Sequence, residues 1–149
     1  MQKKKRLEEL LEVVVGCRDW VAGPIKGVRD HPLPLLVKIA PDLDDAARAD
    51  IASICLRVGV DGIVVSNTTI ARPATLRSDP ELTTQAGGLS GAPLREMSTK
   101  AVSDMYALTK GQLTIFGVGG IASGQDAYDK IRAGASFVQV RRECGARLI

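Results

Sequence analysis

The chain has 149 residues, 45% hydrophobic and 25% charged, which suits one domain with a buried core and excludes a disordered or membrane-embedded chain. Its 20 basic and 17 acidic residues are interspersed and leave a net charge of +3, so no broad cationic face for nucleic acid is implied. Fifteen glycines and seven prolines, beside one tryptophan, two tyrosines and two phenylalanines, predict many tight connections between aliphatic layers, as in an α/β fold.

The basic run Lys3-Lys4-Lys5-Arg6 reads as a solvated end. It leads straight into Glu8, Glu9 and Glu12, unlike a signal or transit peptide, and no stretch reaches the roughly 18 apolar residues of a membrane span. Leu7, Leu10, Leu11, Val14 and Val15 then fall on one helical face and predict an amphipathic helix. Gly23-Pro24 and His31-Pro32-Leu33-Pro34 punctuate a loop, after which Leu35 to Ile39 reads as a strand buried on both faces and stopped by Pro41. His31 has no second His or Cys at metal spacing and reads as solvated; no metal site is expected.

Asp42, with Asp45 three residues on, is expected to cap a second helix along Ala47, Ile51, Ile54, Cys55 and Val58, ended by Gly59. Ile63-Val64-Val65 is the second strand. After a long polar loop, Pro93 is expected to open a third helix through Leu94, Met97, Ala101, Met105 and Leu108, closed by Gly111 and followed by a strand over Leu113 to Phe116. Ser123 with Asp126 predicts another capping box, Ile131 is placed on the buried stripe, Gly134 ends that helix, and Phe137 to Val140 is the fourth strand. Cys17, Cys55 and Cys144 are odd in number, widely spaced and without a CxxC, consistent with reduced thiols.

The order α-β-α-β-α-β-α-β predicts parallel βαβ units, either in an open doubly wound sheet or in part of a (β/α)8 barrel. A complete barrel takes about 250 residues, so these units amount to roughly half of one. In either architecture the strand C-terminal ends converge on one mouth. Lys38, Ser66-Asn67-Thr68 and Gly117-Val118-Gly119-Gly120 all sit there. Lys38 lies between Val37 and Ile39, and its ammonium needs a partner, either a neighbouring carboxylate or an anionic or electron-rich cofactor. Gly119 and Gly120, just before a helix start, either make a tight turn or let backbone N–H groups close on a phosphate. Asn67 is either a turn residue or offers the donor and acceptor that a carbonyl/amide heterocycle requires, and Gly87 to Gly91 lacks the bulk that would keep backbone from a flat ligand. One histidine in a loop supports no Ser-His pair.

Four strings in one order, Val37-Lys38-Ile39-Ala40-Pro41-Asp42-Leu43, Asp61 to Thr69, Gly87 to Leu94 and Gly117 to Ala127, resemble dihydroorotate dehydrogenase of the quinone-linked, membrane-associated class. The resemblance runs from the opening helix to Val140 and implies the C-terminal half of a flavin (β/α)8 barrel, a single domain with a divergent tail over residues 141–149. It implies FMN as cofactor and oxidation of dihydroorotate to orotate in pyrimidine (UMP) synthesis, with quinone as electron acceptor. By position, Lys38, Ser66, Ser90, Gly91, Gly119 and Gly120 would contact FMN, while Asn67 and Thr68 would hydrogen-bond the substrate ring. Lys38 would favour the reduced, electron-rich flavin. The family's base serine, its membrane segment and its closing Tyr-Thr pair have no counterpart here, and the stretch from Arg141-Arg142 to Ile149 stands where the pair would be. The resemblance therefore describes a fragment without the catalytic base, placed by family at the mitochondrial inner membrane and touching the membrane only through an absent segment. Two alternatives are a non-catalytic barrel remnant and a phosphate-binding barrel lyase using Lys38 as a Schiff-base lysine.

Overall fold

The computed structural model describes residues 2–22, 31–74, 76 and 79–140. Gly23-Pro24, Lys3's side chain, Cys144 and the 141–149 tail with its arginine pair lie outside the described residues. In chain order the elements are α1 (Gln2–Ala22), β1 (Leu36–Ile39), α2 (Asp45–Val58), β2 (Gly62–Val65), a one-turn α3 (Pro80–Thr83), a 3-10 turn (Ala92–Leu94), α4 (Arg95–Thr109), β3 (Thr114–Val118), α5 (Gly124–Arg132) and β4 (Phe137–Gln139).

All strand pairs are parallel and the sheet order is β1-β2-β3-β4. That order decides between the two architectures. A doubly wound sheet reverses its strand order at a switch point, with helices on both faces; sequential order with crossovers of one hand lays every helix on one face, as in an arc of a barrel. The helices accordingly pack in a row, α1 on α2, α2 on α4 and α4 on α5. Between them and the sheet lies the core, with Ile39, Ile63, Val65 and Ile115 from the strands against Ala52, Ile54, Cys55, Ala101, Val102 and Met105. Each large aliphatic side chain sealed there contributes about 1.5–3 kcal/mol. The thiol of Cys55, buried in this layer, is pushed up to about 11 by desolvation.

The opposite face carries Lys38, Val64, Phe116 and Phe137 in one cross-strand row. The two phenylalanine rings stack with centroids 5.0 Å apart. Lys38 and Phe137 are exposed while Val64 and Phe116 between them are half-buried, so the expectation that the first strand is buried on both faces is corrected at Lys38.

Several local expectations are also corrected. The cap of α2 is Asp44, whose carboxylate accepts from the Ala47 N–H at 2.7 Å; Asp42 serves elsewhere. Gly59 ends α2 in the left-handed conformation as anticipated. Pro93 lies in the 3-10 turn that precedes α4, and Lys110, itself left-handed, closes α4 one residue before Gly111. Leu10 and Leu108 prove exposed, because α1 turns Leu11 toward α2 and α4 turns Val102 and Thr109 inward. Ile131 is exposed as well; the positions that α5 buries are Asp126 and Lys130.

Candidate functional site

Parallel pairing brings the strand C-terminal ends together, and main-chain bonds join the segments beyond them. Asn67 donates its N–H to the Ile39 carbonyl at 2.8 Å, and Ser66 donates to the Val118 carbonyl at 3.1 Å. The end of β1, the turn after β2 and the end of β3 thus form one rim, with Gly119 and Gly120 on its third side. Lys38 sits one residue before the rim, exposed, and forms no ion pair among the described residues. The carboxylate-partner reading of Lys38 therefore finds no support there, and the ammonium remains available to an anionic or electron-rich group.

Ser66 is buried and its hydroxyl donates to the Asn67 carbonyl at 2.9 Å. Asn67 is exposed, and its side-chain oxygen accepts from the Thr68 N–H at 2.9 Å, which holds the amide close to the main chain. Asp42 ties the next residue: its carboxylate accepts from the Thr69 hydroxyl, with the Ile70 N–H at 3.4 Å.

The long loop after β2 folds back on this turn. Thr69 and Leu89 exchange two main-chain bonds, 3.0 and 2.7 Å, in an antiparallel bridge that seats the glycine-rich segment beside Asn67 and Thr68. Gly88 makes the approach sterically possible, since a Cβ there would fall 1.8 Å from Thr68 Oγ1. Among the described residues Arg72 holds this loop through carbonyls, donating to Ile70 and Thr83 at 3.2 Å, to Gln85 at 3.2 Å and to Gly87 at 2.8 Å. Ser90 is exposed, and Gly91 is half-buried where the loop enters the 3-10 turn.

The Gly119-Gly120 turn packs directly on the start of α4. A Cβ on Gly120 would lie 2.6 Å from Arg95 Cα, so packing against main chain requires glycine there, and Gly119 is favoured as glycine by its φ of 112° and by Leu94 Cδ2, which a Cβ would approach to 2.9 Å. Their carbonyls are held from inside: Ser98 Oγ lies 3.0 Å from the Gly119 oxygen, and Arg95 Nε donates to the Gly120 oxygen at 3.1 Å. These peptides are trans, the only cis bond among the described residues being Val65-Ser66. A trans peptide points its N–H opposite its C=O. With both carbonyls inward, the N–H groups of Gly120 and Ile121 face away from Ser98 and Arg95, and neither has a partner among the described residues. Two adjacent free N–H groups beside a guanidinium fit an anionic phosphate.

Behind the turn is a cluster that sequence reading missed. Lys130 is fully buried and donates to Ser98 Oγ at 2.6 Å and to Thr99 Oγ1 at 2.9 Å, with the Arg95 carbonyl at 3.5 Å. Desolvation pulls its ammonium down to about 8, against the attraction of Asp126. Asp126 accepts from the Ala122 N–H at 3.0 Å and the Ser123 hydroxyl at 2.8 Å, and pairs with Arg95 Nε at 3.0 Å. The Ala122 and Ser123 hydrogen bonds, with Arg95, hold its carboxyl below the usual range. The predicted capping box is present, its carboxylate reaching the residue before the cap. The signal that could have revealed the cluster is the four-residue spacing of Asp126 and Lys130, which puts both on one side of α5.

Comparison with known proteins points the same way. The family model for dihydroorotate dehydrogenase matches residues 1–146. The chain is 51% identical over 140 residues to dihydroorotate dehydrogenase (quinone) of Xanthobacter autotrophicus, covering 94% of this chain and 38% of that protein. It is 48% identical over 140 residues to the mitochondrial dihydroorotate dehydrogenase (quinone) of Mus musculus, covering 94% of this chain and 33% of the relative. The crystal structure of ligand-free DHODH from Eimeria tenella superposes with a TM-score of 0.72 at 54% identity, over 76% of this chain and 31% of that one. The chain spans about a third of the length of the curated relatives it matches.

Proposed function

The chain belongs to the dihydroorotate dehydrogenase family, and on that premise we propose that it forms the flavin and substrate rim of an FMN-dependent enzyme that oxidises dihydroorotate to orotate and passes the electrons to quinone. The observation that carries this reading is the convergence, at one end of the sheet, of a Lys38 ammonium without an ion pair among the described residues, an exposed amide on Asn67 and two outward N–H groups at Gly120 and Ile121. When bound, FMN would accept hydride from the substrate and yield electrons to the quinone.

Lys38 would stand beside the flavin ring and stabilise negative charge accumulating there. Ser66, Ser90 and Gly91 would line the same cofactor, with Ser66 held in place by its bond to the Asn67 carbonyl. Gly119 and Gly120 would receive the phosphate. Asn67 and Thr68 would orient the substrate ring by hydrogen bonds. No proton-removing role is assigned to any of these residues. The quinone partner implies contact with a membrane; among the described residues no helix is long and apolar enough to cross one. Relatives from mouse and Arabidopsis are named mitochondrial, and we assign the mitochondrial inner membrane to the enzyme in a eukaryotic host.

The test is to titrate the purified chain with FMN and then add orotate. The expected result is a bound flavin whose absorption shifts with orotate, the orotate response falling at least tenfold in Asn67→Ala and flavin affinity falling in Lys38→Ala. A chain that takes up no flavin, or a flavin spectrum indifferent to orotate, would overturn the reading.

A further inference from the structure

We propose that Lys130 is a positioning residue of the phosphate-holding turn: its ammonium fixes the direction of the Ser98 hydroxyl, which holds the Gly119 carbonyl inward and so aims the Gly120 N–H at an anionic ligand. The proposal rests on the flavin reading above.

The argument is one of donors and acceptors. An ammonium can only donate. Because Lys130 donates to both Ser98 Oγ and Thr99 Oγ1, each hydroxyl must turn its single proton elsewhere. Thr99 gives its proton to the Arg95 carbonyl at 2.8 Å. That oxygen also faces Lys130 Nζ at 3.5 Å, so it is already supplied with donors when Ser98 chooses between its two acceptors. The Ser98 proton is left for the Gly119 carbonyl, equally near at 3.0 Å. A carbonyl so anchored holds the 119–120 peptide plane, and the N–H on the other side of that plane cannot swing inward.

Electrostatics acts in the same sense. The charged groups bearing on Lys130 are Asp126 on its own helix and Arg95 on α4. Two cations and one carboxylate leave a net positive charge behind the turn, and Lys130 holds its share of it where solvent does not screen it. Burial of an ammonium is costly, and the three neutral oxygens around Nζ offset that cost only in part, as its lowered pKa shows.

A general structural role would weaken every ligand alike, whereas a role in the turn must depend on the phosphate. The experiment is therefore a fluorescence titration of the chain with FMN and with riboflavin, which differ by that group, for the wild type, Lys130→Met and Ser98→Ala. Ser98→Ala removes one oxygen and leaves the helix intact should Lys130→Met fold poorly. The expected result is that wild type prefers FMN, and that each variant loses roughly 10- to 100-fold in FMN affinity, by analogy with the outer hydrogen-bond partners of metal ligands, with riboflavin affinity unchanged. Equal loss for both ligands, or no loss for FMN in a folded Lys130→Met or in Ser98→Ala, would overturn the proposal while leaving the flavin reading standing. A wild type that binds neither flavin would overturn that reading and this one with it.

Discussion

Replacing Gly88 by alanine tests whether the glycine-rich loop is held against the Asn67-Thr68 turn by close packing. The residue needs no left-handed backbone, so alanine is conformationally acceptable and the cost is one of contact. The new methyl would fall 1.8 Å from Thr68 Oγ1 and 2.5 Å from Thr68 Cβ; rotation about χ1 can move the hydroxyl but not Cβ, and ordinary contact begins near 3.4 Å, so the two segments must part by about 0.9 Å. Overpacking of this kind costs about 1–3 kcal/mol, comparable to the two reciprocal Thr69–Leu89 bonds that hold the segments together at about 0.5–1.5 kcal/mol each. The bridge should therefore open far more often, raising the hydrogen-exchange rates of the Thr69 and Leu89 amides by roughly 5- to 150-fold while core amides such as Ile63 and Ile115 keep theirs. Thr68→Gly in the same background removes both clashing atoms and should restore slow exchange. Unchanged exchange at Thr69 and Leu89 in Gly88→Ala, or acceleration that Thr68→Gly fails to reverse, would refute the reasoning.

Two further outcomes concern protons. Lys130 has a folded value of about 8 against an ordinary 10.5, so between those values the unfolded chain holds the proton that the folded one has lost. Wild-type stability should therefore rise with pH across that window relative to Lys130→Met, as chemical denaturation at pH 7 and pH 10 would register. Asp126 has the opposite sign: its carboxyl is held below 3.8, so the stability it supplies is complete at neutral pH and is lost as pH falls through its folded value. The advantage of wild type over Asp126→Asn in thermal melts should be constant from pH 7 to pH 5 and shrink only in stronger acid; a pH-independent difference would contradict the assignment.

The order of the four strands and the longer helices was legible because the strands are short, mostly apolar runs and the helices fall between clear starts and stops such as Gly59 and Gly134, whereas the one-turn α3 within the long polar loop carried no such period. The gathering of Lys38, Asn67 and Gly119 at one end was legible too, since a parallel sheet sends every strand's C-terminal end the same way. What the pattern withheld is informative. Asp42 and Asp44 both put a carboxylate within reach of the helix start, and only the extended backbone at Asp44 decides which one caps. Leu10, Leu108 and Ile131 lie on arcs with the right period, but a period does not say which of two adjoining arcs the neighbouring helix covers. The largest omission, Lys130, came from treating α5 as burying apolar side chains when its inward positions hold an ion pair's carboxylate and a lysine. The sequential strand order, which separates a barrel arc from a doubly wound sheet, leaves no mark on a single crossover and emerges only from the pairing of all four strands.

The way Arg72 grips the loop after β2 has an evolutionary corollary. Among the described residues its guanidinium donates to main-chain oxygens that every amino acid carries, so its grip does not depend on which side chains stand at Ile70, Thr83 and Gln85. Exposed positions such as Gln85 and Ala86 can be exchanged without redrawing the contour. A lineage could retune what this rim encounters, or an engineer could graft new chemistry onto it, with Arg72, the Thr69–Leu89 bridge and Gly88 as the fixed points.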